Sequence, residues 1–481
     1  MNLSEILSAV SGIVWGPVMI SLLVGTGLYI TYRLRFLQAR YLIHSIKCVS
    51  GKYDDPNEEG DISHFKALAA ALSATIGTGN IAGVAGAIAL GGPGAIFWMW
   101  MTALVGMATK YASCSLAIKY REIGSDGEAR GGPMYYLQKG FMPEWLVRIG
   151  GVDRAKRWGI SLAVSFALMA VVASFGIGNM VQANSVVDGL KYIVPASVQQ
   201  GGFSLFGFEI NTFSLIIGVI LAISVGIVIL GGIKRIANVA SKLVPGMSVI
   251  YIVAALAILV LNANQIIGAL VLIVKHAFTP YAAGGGAVGA TVAMALRFGV
   301  ARGVFSNESG LGSAPMAHAA AKTKEMAREG MVAMLGPFID TIIICTMTAL
   351  VIIITGAADS GMTSASLTAH AFDIGLAGYG HYIVGIGLIL FAYSTIISWS
   401  YYGDRCTQYL FGTGAVIWYR WIYVFMVVIG AIGGLKIIWD LADVLTALMA
   451  IPNLIGLIAL SGVVVKYTND YVKRLKAGEF D

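Results

Sequence analysis

The chain has 481 residues, of which 57% are hydrophobic and only 12% charged. Soluble globular proteins carry about 25% charged residues, so this composition excludes a soluble domain and predicts an all-α polytopic membrane protein. The formal net charge of +7 raises the question of a nucleic-acid partner, but the placement of the basic residues answers it with none.

Eleven apolar spans are expected, at 12–32, 66–90, 94–120, 158–190, 212–231, 238–262, 286–320, 331–356, 380–402, 415–434 and 440–465. The opening segment holds Glu5 and no Lys or Arg before Arg33. It lacks the basic start of a cleaved leader and reads as a retained span. The second run, Lys66 to Leu90, carries Gly77-Thr78-Gly79-Asn80 in its middle. Gly is about 1 kcal/mol worse than Ala inside a helix, and Asn is also weak. A break at bilayer depth frees backbone groups and survives only where it is buried in protein or lines a cavity. Half-helix ends of this kind bind substrates and ions in transporters. The string also fits a dinucleotide fingerprint, which requires a preceding strand; the Ala-rich residues before it exclude that. A second alternative stands beside the site: Gly79 and Gly83 form GxxxG, a helix-packing pattern. The Thr-Gly-Asn cluster favours a site, because packing needs only small residues.

Gly91-Gly92-Pro93-Gly94 is a tight turn, and Phe97, Trp98 and Trp100 after it are expected in an aromatic belt at the outer face. The next span carries Lys110. The loop 121–157, with Gly131-Gly132-Pro133, is too short for a catalytic domain. The apolar stretch 264–278 is short for a span and is expected to lie as a helix against the outer face.

The seventh span is glycine-rich and carries Arg297, Arg302 and Glu308. A second break is expected around Gly299–Gly312, followed by a half-helix from about Ser313 to Lys322 whose amides suit a carboxylate. A re-entrant or cytoplasmic loop is the alternative. Charges inside spans are functional candidates. Lys110 and Arg302 are expected in ion pairs that fix helix register, while Asp340 suits an ion site or a proton relay. Ser394 and Thr395, with Ser398 one turn on, offer hydroxyl oxygens to a hard cation, or else bond back to their own helix.

With the N-terminus outside, the outer loops receive only Lys191, Lys275 and Lys436, and only Lys110, Arg297 and Arg302 lie within spans. The other basic residues fall at the cytoplasmic side, as the positive-inside rule requires. Topology thus accounts for the net charge, and the C-terminus is cytoplasmic. The four cysteines and six histidines form no metal-ligand spacing, so no cofactor and no enzyme chemistry is expected. After the first span, two groups of five each open with a disrupted helix, which is an inverted-repeat plan. The expected organisation is an extra N-terminal span and linker (1–65), a first repeat (66–262), an external connection (263–285), a second repeat (286–465) and a cytoplasmic tail (466–481).

Three strings carry a family resemblance: GGPGAIFWMWMTALVG (91–106), ATIGTGNIAG (74–83) and FSNESGLGSAPMAHAAAKT (305–323). They resemble hallmarks of the alanine/glycine:cation symporters, also called sodium:alanine symporters. The resemblance implies eleven transmembrane helices in a LeuT-like 5+5 inverted repeat preceded by one extra helix. It also implies a prokaryotic inner-membrane protein that takes up alanine or glycine with Na⁺, without a covalent intermediate. By the match to the broken helix of LeuT-like transporters, the amides of Thr78 and Gly79, next to Gly77, would hold the substrate carboxylate. The carbonyl of Thr75 would lie near its ammonium group. The carbonyls of Ser73 and Ile76 would bind Na⁺ with Ser394 and Thr395, and Ser398 stays a candidate. Asn80 matches a ligand of a second ion site in some relatives. Phe166, Met169 and Ala170 are candidate pocket walls.

Overall fold

The computed structural model describes residues 3–55, 57–125, 127–205, 208–281, 290–433 and 436–480. These are mostly helical, with two small antiparallel hairpins, Glu122–Ile123 on Ala129–Arg130 and Gly202–Leu205 on Phe208–Asn211. Seven helices are long and apolar enough to cross a bilayer, or eight when the bent pair His64–Thr75 and Gly79–Gly91 is taken as one span. The chain is therefore a multi-pass membrane protein. Three further expected spans hold helices outside that count. Gly94–Tyr120 is long enough but less apolar, while Val292–Asn307 and Ala415–Ala431 have only 16 and 17 residues. The first residues of the expected seventh span, through 289, lie outside the described residues.

Local chemistry sets the helix ends. Ser63 begins the first broken helix, its hydroxyl accepting the Lys66 amide at 3.4 Å. Thr291 and Asn211 cap their helices in the same way, from Met294 and Ser214 at 3.2 and 3.0 Å. Such caps satisfy amides that have no partner within the helix. Ala263–His276 is a short apolar helix, as expected for 264–278. Helices at Leu42–Val49, Pro133–Gly140 and Ser364–Gly375 lie outside the expected spans.

Trp98 and Trp100 are half-buried, and their indole nitrogens donate to the Ala277 carbonyl at 3.2 Å and to Thr346 Oγ1 at 2.8 Å. One expectation changes. Gly299 and Gly303 are not part of a break but lie inside the helix Val292–Asn307. A Cβ on Gly299 would fall 2.3 Å from the Ala95 carbonyl oxygen, and one on Gly303 the same distance from Thr102 Oγ1. These glycines make the close seam between this helix and Gly94–Tyr120.

Candidate site at two helix breaks

The first broken helix ends at Ile76, bends by 54° and restarts in a wide π-turn, Gly79–Gly83. Residues 67–81 are buried, so the backbone groups freed here need partners from elsewhere in the chain. Asn80 supplies one by folding back, its Oδ1 accepting the Gly77 amide at 2.9 Å. Thr348 donates to the Asn80 carbonyl at 2.8 Å, and Thr368 to the Ile81 carbonyl at 3.0 Å. The break also presses on its neighbours. A Cβ on Gly77 would lie 2.7 Å from Thr395 Oγ1, and one on Gly79 would lie 3.0 Å from Ser306 Cα. Gly83 meets nothing nearer than the Thr78 carbonyl at 4.0 Å and faces a cavity, so Gly79 and Gly83 do not act together as a packing seam.

The helix Gly380–Phe411 delivers the hydroxyls to this point. Ser73 Oγ donates to the Ser394 carbonyl at 2.8 Å, and Ser394 Oγ returns a bond to the Ser73 carbonyl at 3.1 Å. Ser394 and Thr395 also bond back to the Phe391 carbonyl of their own helix, at 2.9 and 3.0 Å. Ser398 Oγ is buried with no partner among the described residues. Thr75 Oγ1 bonds back to Ala71 and Leu72. Ser73, Ser394 and Thr395 thus meet at the break, and they offer only oxygen, the donor a hard cation takes.

The second break starts later than expected. Val292–Asn307 ends at Glu308, which is left-handed at φ 54°, and Gly310 and Gly312 follow at 90° and 91°. A left-handed residue other than Gly costs about 1–2 kcal/mol, and strain of this kind collects at functional sites. The Glu308 carboxylate is held by Trp399 Nε1 at 2.7 Å and Ser313 Oγ at 2.5 Å. The carboxylate beside the following half-helix is therefore the chain's own. That half-helix is Ala314–His318, shorter than the expected run to Lys322.

Asp340 joins the two breaks. Its Oδ1 accepts from Asn80 Nδ2 at 2.7 Å, and its Oδ2 from Ser306 and Thr341, both at 2.8 Å. Lys110 was expected in an ion pair; instead its ammonium donates to the Asn307 carbonyl at 2.9 Å, with no ion pair among the described residues. Arg302 likewise forms none there and borders two cavities. Phe166 and Ala170 are fully buried and Met169 half-buried. The Phe166 ring lies at the second break, 2.7 Å from where a Cβ on Gly312 would sit.

Gln182 and Trp399 were missed. Gly176-Ile177-Gly178-Asn179 repeats the Gly-x-Gly-Asn pattern and also forms a wide π-turn, Gly176–Met180. It places Gln182 Oε1 within 3.6 Å of the Cβ position of Gly77, without a hydrogen-bond partner among the described residues. Trp399 packs on Gly178, 2.4 Å from its Cβ position. That second Gly-x-Gly-Asn was the available signal.

A cavity of about 440 Å³ leads from Asp188, Thr363 and Ser364 down to Thr78, with Arg302 and Phe305 on its wall. The opposite, basic face is closed. There the segment before the first broken helix pairs with the segment after the second. Asp61 and Ile62 amides donate to the Ala320 carbonyl at 2.8 and 3.1 Å, and Lys322 returns a bond to Ile62 at 2.8 Å. Arg121 spans this seam, donating to the carbonyls of Glu59, Ala319, Ala321 and Thr323 at 2.6–2.9 Å. Glu329, fully buried, accepts from His318 Nδ1 at 2.5 Å and also pairs with His64. Burial pushes the Asp61 carboxyl above its ordinary range, although the Ala129 amide and Lys234 pull the other way.

Arg121→Ala leaves four carbonyls short of a donor, at about 1–3 kcal/mol for each that becomes buried and unsatisfied. The expected result is an opened basic face. A cysteine placed at the fully buried Ala320 should react with a maleimide at least tenfold faster in Arg121→Ala than in its absence. The four native cysteines are buried and keep the background low. Equal labelling would mean that Arg121 does not hold the seam.

Comparison with known proteins bears on what this arrangement serves. The chain matches the sequence profile of the "Sodium:alanine symporter family" over residues 1–481. It is 49% identical to "Sodium/alanine symporter AgcS" of Methanococcus maripaludis, covering 98% of each chain. It is 46% identical to an "Uncharacterized transporter" of Haemophilus influenzae, covering 100% of this chain and 99% of that one. It is 37% identical to "Probable sodium/glutamine symporter GlnT" of Bacillus subtilis, covering 99% and 92%. With a family profile and such relatives matched end to end, this chain belongs to the sodium:alanine symporter family.

Proposed function

We propose that the chain is a secondary active transporter that carries alanine or glycine together with Na⁺ by alternating access. The observation that carries this reading is the first break. There an apolar helix is interrupted at the floor of a cavity and laid against the hydroxyls of Ser394 and Thr395. The 49% identical relative is named for sodium and alanine, which supports that pair. The 37% identical one is named for sodium and glutamine, so side-chain size is the property that the pocket walls must set.

In this proposal the eleven expected helices form one span (with its linker, 1–65) and two inverted groups of five (66–262 and 286–465). These are joined by 263–285 and followed by a cytoplasmic tail, 466–481. The N-terminus is outside and the cavity opens outward. The substrate carboxylate meets the amides of Thr78 and Gly79 beside Gly77, and its ammonium meets the Thr75 carbonyl. Asn80 shapes the break, and Phe166, Met169 and Ala170 bound the pocket. Na⁺ binds among Ser73, Ile76, Ser394, Thr395 and Ser398, displacing the mutual Ser73–Ser394 bonds. A bound ion shifts the balance of states only through its differential affinity for them. Here that difference comes from drawing the broken helix and Gly380–Phe411 onto one cation. The donors that converge on Asp340 support a role in holding the breaks in register over one in carrying a proton.

Purified protein in liposomes should accumulate labelled alanine or glycine under an inward Na⁺ gradient. Equal uptake with K⁺ in place of Na⁺ at fixed pH would overturn sodium coupling. Uptake driven by a pH gradient alone would transfer the role to protons and Asp340.

A further inference from the structure

We propose that a groove between the N-terminal helix Pro17–Arg33 and the helices Gly94–Tyr120 and Val292–Asn307 binds one anionic phospholipid, its headgroup at the basic face. The inference stands apart from the transport reading. The groove encloses about 780 Å³. Ile20, Val24 and Leu28 form one wall, and Met101, Val105 and Val300 form the other. Gly25 also faces the groove, and a Cβ there would meet nothing within 4 Å. Ile20 and Thr31 both line it; at 1.5 Å per helical residue they are about 16 Å apart, a length suited to an acyl chain.

The chemistry changes at one end. Phe36, Gln38 and Ala39 line the groove there, and Arg33, Arg35 and Arg40 flank them in sequence. Arg35 and Phe36 are both left-handed, at φ 54° and 56°, so the chain turns sharply where the basic residues gather. Arg35 and Arg40 are exposed. Clusters of arginine beside a membrane helix attract anionic lipid headgroups. Gln38 is only 8% exposed. Its Nε2 donates to Thr31 Oγ1 at 3.1 Å and to the Leu104 carbonyl at 3.2 Å. Its Oε1 is buried with no partner among the described residues. A buried acceptor in an apolar wall calls for a donor.

One molecule answers all three features. An acyl chain fits the apolar walls, a phosphate faces the guanidinium groups, and a headgroup hydroxyl can donate to Gln38. Phosphatidylglycerol has all of these. Phosphatidylcholine has neither net charge nor a donor in its headgroup.

The test offers both lipids, in equal amounts and with the same acyl chains, to the full-length protein in detergent, and counts retained lipids by native mass spectrometry. One phosphatidylglycerol per chain should be retained, at least fivefold over phosphatidylcholine. Arg35→Gln with Arg40→Gln should equalise the two lipids. Gly25→Leu, which fills the groove where there is room, should lower retention of both at least fivefold. Elution volume and thermal unfolding without added lipid report whether each variant is folded. A phosphatidylglycerol with a photoreactive acyl chain should mark Met101 or Leu104 in the unmodified protein, which needs no variant. Equal retention of the two lipids by the unmodified protein, marking elsewhere only, or retention that a folded Gly25→Leu leaves unchanged would each overturn the proposal.

Discussion

Asp340→Ala should lower sodium-driven uptake at least 100-fold while the protein still inserts and elutes as a single species. The reason is arithmetic on buried donors. Asn80 Nδ2, Ser306 Oγ and Thr341 Oγ1 all donate to this carboxylate, and Asn80 belongs to the first break while Ser306 borders the second. A buried donor left unsatisfied costs about 1–3 kcal/mol. Two such losses, partly relaxed, reach about 3 kcal/mol, and every 1.4 kcal/mol is a factor of ten in a population. Asp340→Asn separates register from proton carriage. Its carbonyl oxygen, in the place of Oδ2, still accepts from Ser306 and Thr341, but its amide nitrogen confronts Asn80 Nδ2, so a loss of about tenfold is expected. Initial rates of labelled alanine uptake in liposomes, with thermal unfolding of each variant, measure both effects. A full sodium-driven rate in Asp340→Asn would remove Asp340 from the coupling of the two breaks.

Gly77→Ala should weaken the sodium dependence of uptake. The added carbon would sit 2.7 Å from Thr395 Oγ1, well inside contact distance, and both residues are packed in the core. Overpacking of this kind costs about 1–3 kcal/mol. Here it would push the broken helix away from the hydroxyls proposed to hold sodium. The sodium concentration for half-maximal uptake should rise about 10- to 100-fold, with a smaller change in the maximal rate. Gly83→Ala is the control, because a Cβ there meets only the Thr78 carbonyl at 4.0 Å; it should keep at least half of the normal rate. An unchanged sodium dependence in Gly77→Ala would separate this contact from ion binding.

The first break was legible because Gly77, Gly79 and Asn80 oppose helix formation in a run that composition otherwise commits to a helix. The second was legible in existence but not in position. Gly299 and Gly303 look like breakers in sequence, yet they serve packing against Ala95 and Thr102. The true break at Glu308 is fixed by Trp399, a residue from a distant helix. No local pattern reports such a contact. Lys110 shows the same limit: a buried ammonium needs acceptors, but whether these are carboxylates or the Asn307 carbonyl is settled only by tertiary packing. Gln182 is a different case. Its helix repeats the Gly-x-Gly-Asn pattern within the sequence, so an intramembrane amide beside that repeat could have been placed at the site.

The seam on the basic face has a consequence for which residues can alter it. Its bonds between 61–62 and 320–322 run between peptide groups, which nearly every residue carries. The bonds themselves therefore do not depend on which side chains flank them. Gly60 is the exception. It adopts φ 139°, and a Cβ there would fall 2.4 Å from the Ala321 carbonyl oxygen. Any side chain at this position acts as a wedge driven between two zipped edges. The face thus depends on two opposite things, a guanidinium that Arg121 supplies across the seam and an atom that Gly60 lacks within it.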